Sequence, residues 1–120
     1  MTGKPLEIEV QNLRLRTIIG FNDWEREKPQ DIVISVRLTY DAGQAIKTDD
    51  VEHAVDYKTI TKTIIKKVED SSFNLLESLA DMIYNTIHSF SGVQKVYVKV
   101  EKPHCLRFCD NVIVRLSDYD

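Results

Sequence analysis

From Val98 to Asp110 the sequence reads Val-Lys-Val-Glu-Lys-Pro-His-Cys-Leu-Arg-Phe-Cys-Asp. A strand-like alternation runs straight into an amine, an imidazole, a guanidinium, two thiols and a carboxylate. Functional side chains concentrate on loops carried by a rigid scaffold, and Lys102 stands where strand gives way to loop. Lys102 is therefore the candidate reactive group. An ordinary lysine, with a pKa of about 10.4, is too protonated at neutral pH to act directly as a base. Desolvation, a nearby cation or a relaying water brings such an amine into use. The competing reading is an exposed lysine at a strand end.

His104, Cys105 and Cys109 raise the question of a metal. Zinc needs three or four converging ligands, and His53 and His88 lie on other segments with no paired spacing. The expectation is no metal, no cofactor, and reduced, inert thiols.

The rest of the chain must position that lysine. Its 120 residues fit one domain, 1–120, large enough to bury about two-thirds of the unfolded surface. A composition 42% hydrophobic and 29% charged is that of an ordinary globular protein. A net charge of −3 gives no global footprint for nucleic acid or an anionic membrane. No apolar run approaches the roughly 18 residues of a membrane span. The start of the chain lacks the apolar core of a signal peptide. With two cysteines and no secretory signal, a cytoplasmic protein is expected.

Leu6 to Ile19 reads as a strand whose parity slips at Gln11-Asn12, the mark of a β-bulge. After Gly20 comes a charged connection containing Trp24, read either as a loop anchor or as part of a subunit interface. Asp31 to Tyr40 alternates cleanly, with Ile32, Ile34, Val36, Leu38 and Tyr40 on one face. A polar region, Asp41 to Asp50, follows, and Thr48 to Ala54 has room for a short helical turn. Asp56 is a candidate N-cap for a helix from Tyr57 to about Glu69. A second helix is expected from Leu75 to about Phe90, with Asn74 and Glu77 spaced as a capping box. Val93 to Glu101 and Asn111 to Ser117 return to strand period. The order is β-β-α-α-β-β, an α+β unit whose long sheet edges ask for partner subunits.

That order, with Tyr57 at a helix start, Phe73-Asn74-Leu75-Leu76-Glu77 opening the second helix and Lys102 ending the third strand, resembles the dihydroneopterin aldolase family over nearly the whole chain. Within it, Leu13-Arg14-Leu15-Arg16-Thr17-Ile18-Ile19-Gly20, Asp31-Ile32-Val33-Ile34, Tyr57-Lys58-Thr59-Ile60-Thr61-Lys62 and the stretch from Lys102 to Asp110 are more similar to the dihydroneopterin triphosphate 2′-epimerase branch. The resemblance implies the tunnelling fold (T-fold), an antiparallel sheet with two helices on one face. It further implies a barrel completed by oligomerisation, two tetrameric rings forming a homo-octamer with active sites between subunits.

It also implies roles. Lys102, Tyr57 and Glu25 would be catalytic in a retro-aldol cleavage of the C1′–C2′ bond, with the dihydropterin itself as electron sink and no metal. Glu77, with its neighbour Leu76, would hold the pterin, since a carboxylate matches the paired N–H groups of the ring. The rival role for Glu77 is the capping box. Arg107 and His104 lie in a loop shorter than the usual aldolase version, and a guanidinium suits phosphate oxygens. Arg107 is the leading candidate for a triphosphate contact, ahead of Arg14, Arg16 and Lys58. Ile18-Ile19 stands where aldolases usually carry a tyrosine and a histidine. The activity implied is the 2′-epimerase, with an aldolase forming 6-hydroxymethyl-7,8-dihydropterin as the near alternative and a non-catalytic pterin- or purine-binding module as the remote one.

Overall fold

The computed structural model describes residues 3–119. Four strands, β1 (Pro5–Thr17), β2 (Gln30–Asp41), β3 (Val96–Pro103) and β4 (Asn111–Ser117), form one antiparallel sheet in that spatial order. Between β2 and β3 lie α1 (Gly43–Thr48), α2 (Tyr57–Glu69) and α3 (Leu76–His88), and short 3₁₀ turns occupy Asp23–Arg26 and Val51–His53. The core is the layer between sheet and helices. Ile32, Ile34, Val36 and Leu38 of β2 and Val96, Val98 and Val100 of β3 are buried there against Ile60, Ile64 and Val68 of α2 and Leu79, Ile83 and Ile87 of α3. Period 2 in the strands meets helical spacing in the helices, and the apolar faces close on each other. This is the expected tunnelling-fold sheet. Among the described residues no helix is long and apolar enough to cross a membrane.

The slip in β1 is a bulge. Pairing passes from Val10↔Val36 to Leu13↔Ile34, one residue more on β1 than on β2. Asn12 takes a left-handed φ of 56° there, and its N–H donates to Ser35 Oγ at 3.0 Å. The extra residue returns Leu13 and Leu15 to the side that packs on the core.

The first long helix starts where its cap predicts. Asp56 Oδ1 accepts from the N–H groups of Lys58 at 3.0 Å and Thr59 at 3.2 Å, and Oδ2 accepts the Thr59 hydroxyl at 2.8 Å. These bonds, the Thr59 hydroxyl foremost, hold the Asp56 carboxyl below its ordinary value. Asp56→Ala is expected to lower the melting midpoint by roughly 2–6 °C, and Asp56→Asn by clearly less, in thermal unfolding followed by circular dichroism.

Other boundaries differ from expectation. α3 begins at Leu76 with Leu75 in the cap position and no side-chain cap bond, so the Asn74–Glu77 capping box does not form. The helical turn in the polar region is α1, which starts at Gly43 because Asp41 Oδ1 accepts the Gly43 N–H at 3.0 Å. The short helical turn expected between Thr48 and Ala54 does form, as the 3₁₀ turn Val51–His53, while Thr48 itself closes α1. β3 starts at Val96 and continues through Pro103. Gly92 carries a left-handed φ of 89°, and residues 93–95 form a connection tied to Thr39.

Candidate active site

In β3 the buried row Val96, Val98, Val100 has a fourth member of the same parity, Lys102. The lysine is thus not an exposed strand-end residue. It faces the helix side of the sheet, opposite Val112 of β4, and only 8% of it is exposed. A charge at the end of an apolar row needs a partner. That partner is Glu25, 4% exposed, whose Oε2 accepts from Lys102 Nζ in a buried ion pair.

The loop after β1 is built around this carboxylate. Oε1 accepts from the Asn22 backbone N–H at 3.2 Å and from Asn22 Nδ2 at 2.8 Å. Gln30 Nε2 donates to Oε2 at 3.2 Å and to the Ile19 carbonyl at 2.7 Å. Gly20, at φ 114°, has no side chain to obstruct the group, and the Glu25 carboxylate fills the space a Cβ would occupy. Burial alone would push Glu25 up, but the hydrogen bonds from Lys102, Gln30 and Asn22 outweigh it and hold the carboxyl at about 2. Glu25 is ionised throughout the neutral range.

The other expected site residues fall into two groups. The Gly20 N–H donates to the Phe73 carbonyl at 3.1 Å, which brings the segment leading into α3 alongside the Glu25 loop. Leu76 follows on that segment, half-buried against the core, and Glu77 is exposed in the first turn of α3. His104, with a left-handed φ of 58°, and Arg107 are exposed in the loop after β3. The Arg107 guanidinium lies 5.0 Å from the centre of the Phe108 ring. His104 also lines a groove of about 430 Å³ with Arg14 and Arg16, although Arg16 is paired with Asp31 at 3.1 Å.

Tyr57 stands apart. It is 57% exposed at the start of α2 and lines a depression with Ile8, Glu9 and Val10 of β1. Those residues pair with Leu38, Arg37 and Val36, whereas Glu101, next to Lys102, pairs with Val33. At least three strand positions intervene, ~10 Å at about 3.3 Å per residue. One chain therefore does not bring Tyr57 to Lys102. Trp24 is 60% exposed, a large apolar side chain left at the surface of the single chain.

Among the described residues no three His, Cys, Asp or Glu side chains gather as a metal site, and Cys105 and Cys109 are both free. Asn22, Gln30 and the space at Gly20 went unnoticed in the sequence.

A four-stranded antiparallel sheet under two helices, with a buried amine–carboxylate pair at the end of β3, has the frame of a tunnelling-fold protein. The profile of the dihydroneopterin aldolase family matches residues 8–117, and the chain belongs to that family. It is 40% identical over 112 residues to a dihydroneopterin triphosphate 2′-epimerase of Pseudomonas aeruginosa, covering 93% of this chain and 91% of the relative. To a dihydroneopterin aldolase of Haemophilus influenzae it is 30% identical over 103 residues, covering 86% and 87%. The crystal structure of Escherichia coli dihydroneopterin aldolase in complex with neopterin superposes with a TM-score of 0.88 at 28% identity, over 95% of this chain and 99% of that one.

Proposed function

We propose that this chain, as one domain over residues 1–120, is a cytoplasmic dihydroneopterin triphosphate 2′-epimerase that works by retro-aldol and aldol steps without a metal. The geometry that carries the catalytic part is the buried Lys102–Glu25 pair. The preference for epimerase over aldolase is supported by 40% against 30% identity to the two kinds of relative.

The substrate's 2′-hydroxyl is deprotonated, the C1′–C2′ bond breaks, and its electron pair enters the dihydropterin ring. C2′ leaves as an aldehyde while C1′ remains on the ring as an enol. Lys102, as the neutral amine, takes the 2′-hydroxyl proton through a relaying water and becomes an ammonium whose charge Glu25 balances. Glu25, already ionised, holds the amine and the water in line. Glu77 anchors the 2-amino group and N3–H of the pterin, with Leu76 beside it. Tyr57 handles the proton at the ring. Arg107 and His104 meet the triphosphate.

If the aldehyde turns over and recondenses, the 2′ epimer forms. If it escapes and the enol takes a proton, the product is 6-hydroxymethyl-7,8-dihydropterin. Tyr57 is supplied by a neighbouring subunit, a reading supported by its separation from Lys102 along the sheet. The outer strands β1 and β4 join neighbouring sheets into the barrel, and two tetrameric rings make the octamer. The exposed Phe21, Trp24, Leu75, Leu106 and Phe108 are apolar surface suited to being covered on assembly.

The test is to incubate the protein with 7,8-dihydroneopterin and, separately, its triphosphate, and to resolve the pterins by chromatography. The monapterin-type epimer should dominate from the triphosphate, with rate unchanged after EDTA treatment. Dominant hydroxymethyl product would favour the aldolase. No conversion of either substrate would overturn the enzyme reading, and loss of activity in EDTA would overturn the metal-free mechanism.

A further inference from the structure

Arg26 follows Glu25 in the 3₁₀ turn, and among the described residues it pairs with no carboxylate. Its guanidinium instead donates to three main-chain carbonyls. Nη1 reaches Gly20 O at 2.9 Å and Phe73 O at 3.1 Å, and Nη2 reaches Ser72 O at 2.6 Å. Phe73 O also accepts the Gly20 N–H. Both main-chain polar groups of Gly20 are therefore held, and the holder spans two segments about fifty residues apart in sequence.

We propose that Arg26 is a positioning residue, a clasp that fixes the Glu25 turn against the segment entering α3. It thereby sets the geometry between the Glu25–Lys102 pair and Glu77. The proposal rests on the functional reading above for what those groups do, but the clasp itself rests on the three bonds. Glu25 occupies the Cβ space of Gly20, so the carboxylate packs directly on Gly20 and a shift of that residue towards it displaces the carboxylate. Phe73 lies four residues before Glu77, so the same clasp sets where α3 begins. One guanidinium thus ties the end of the site that breaks the bond to the end that would grip the pterin. A lysine at this position could not replace it, because an ammonium lacks the planar fork that spans separate carbonyls.

The test uses Arg26→Met and Arg26→Gln in the full-length protein, alone and combined with Glu25→Gln. A displacement of an ångström at a reacting centre costs up to about 100-fold, so kcat should fall on the order of 10-fold with a smaller, few-fold rise in KM. In the Glu25→Gln background, Arg26→Met should lower kcat by less than about 2-fold, because the group it positions is already lost. Equal losses in both backgrounds, or an unchanged kcat in both Arg26 variants, would overturn the positioning role. Amide hydrogen exchange reads the clasp without any activity. Exchange should quicken at Gly20 and through residues 72–77 and stay unchanged in β4. Unchanged protection at Gly20 would overturn the clasp. Should the unaltered protein convert neither pterin, it is the functional reading that fails, and exchange alone decides this one.

Discussion

Replacing Lys102 with methionine is expected to cut turnover of dihydroneopterin triphosphate and dihydroneopterin by roughly 10²- to 10⁴-fold, the range of a positioned proton-transfer group. Methionine keeps the length of the side chain and continues the apolar row of β3, so a loss of activity reports the missing amine. Full activity in this variant would falsify the role given to Lys102. The same change leaves the Glu25 carboxylate buried without its cation, and stranding one member of a buried pair costs about 3–5 kcal/mol. The pH dependence separates this effect from general damage. In the parent, Glu25 is held at about 2 against an ordinary 4.5. A depressed carboxyl contributes stability that is complete above about 4.5 and drains away as pH falls through about 2. Without Lys102 the strongest of the bonds that hold Glu25 down is lost and its carboxyl rises, so the variant loses less stability in acid than the parent does. Urea midpoints of the two proteins should lie furthest apart near pH 7 and converge below about pH 4.5. A gap that holds steady with pH would show that the penalty does not come from Glu25. Adding Glu25→Gln to Lys102→Met should recover most of the lost stability and none of the turnover.

How far this pair was legible in the sequence depends on which physical signal carried each part. β2, α2 and β4 follow from periodicity and a cap, and the bulge at Asn12 follows from the parity slip between Val10 and Leu13. These are local signals, written in consecutive residues. The burial of Lys102 was also written there, since it continues the parity of Val96, Val98 and Val100. Its charge is what makes an exposed strand end the competing reading. Glu25 was found only through family resemblance. Its donors, Asn22, Gln30 and Lys102, converge only once the 3₁₀ turn has formed and β3 lies beside β2, so no spacing announces them. Arg26 is harder still, because its acceptors are main-chain carbonyls and any residue type could have supplied them. Glu77 shows the opposite error. Its spacing from Asn74 matches a capping box, yet the helix begins one residue too late to use it. Tyr57 was placed correctly at its helix start, but the site proposed for it lies between subunits, and one chain holds only its own half.

Gly20→Ala is the second substitution from which a large effect is expected, and it is the sharper test of how the Glu25 site is built. Two costs arise at once. An alanine at φ 114° is strained, by about 1–3 kcal/mol for a residue held outside its populated regions. Its Cβ would also fall within the Glu25 carboxylate, which is not a free side-chain end but is fixed by Asn22, Gln30 and Lys102. The carboxylate must therefore leave its donors, and turnover should fall about as far as in Glu25→Gln. Strain and displacement can be told apart by repeating the substitution in a Glu25→Ala background, where the Cβ meets empty space. The stability cost of Gly20→Ala should then shrink to the backbone part, smaller by at least ~1 kcal/mol, as expected for groups in direct contact. Equal cost in the two backgrounds would mean that the carboxylate does not occupy the glycine's side-chain space. In that case Gly20 would matter only as a turn. A smaller cost beside the truncated Glu25 would establish that the glycine is required because a catalytic carboxylate stands where its side chain would be.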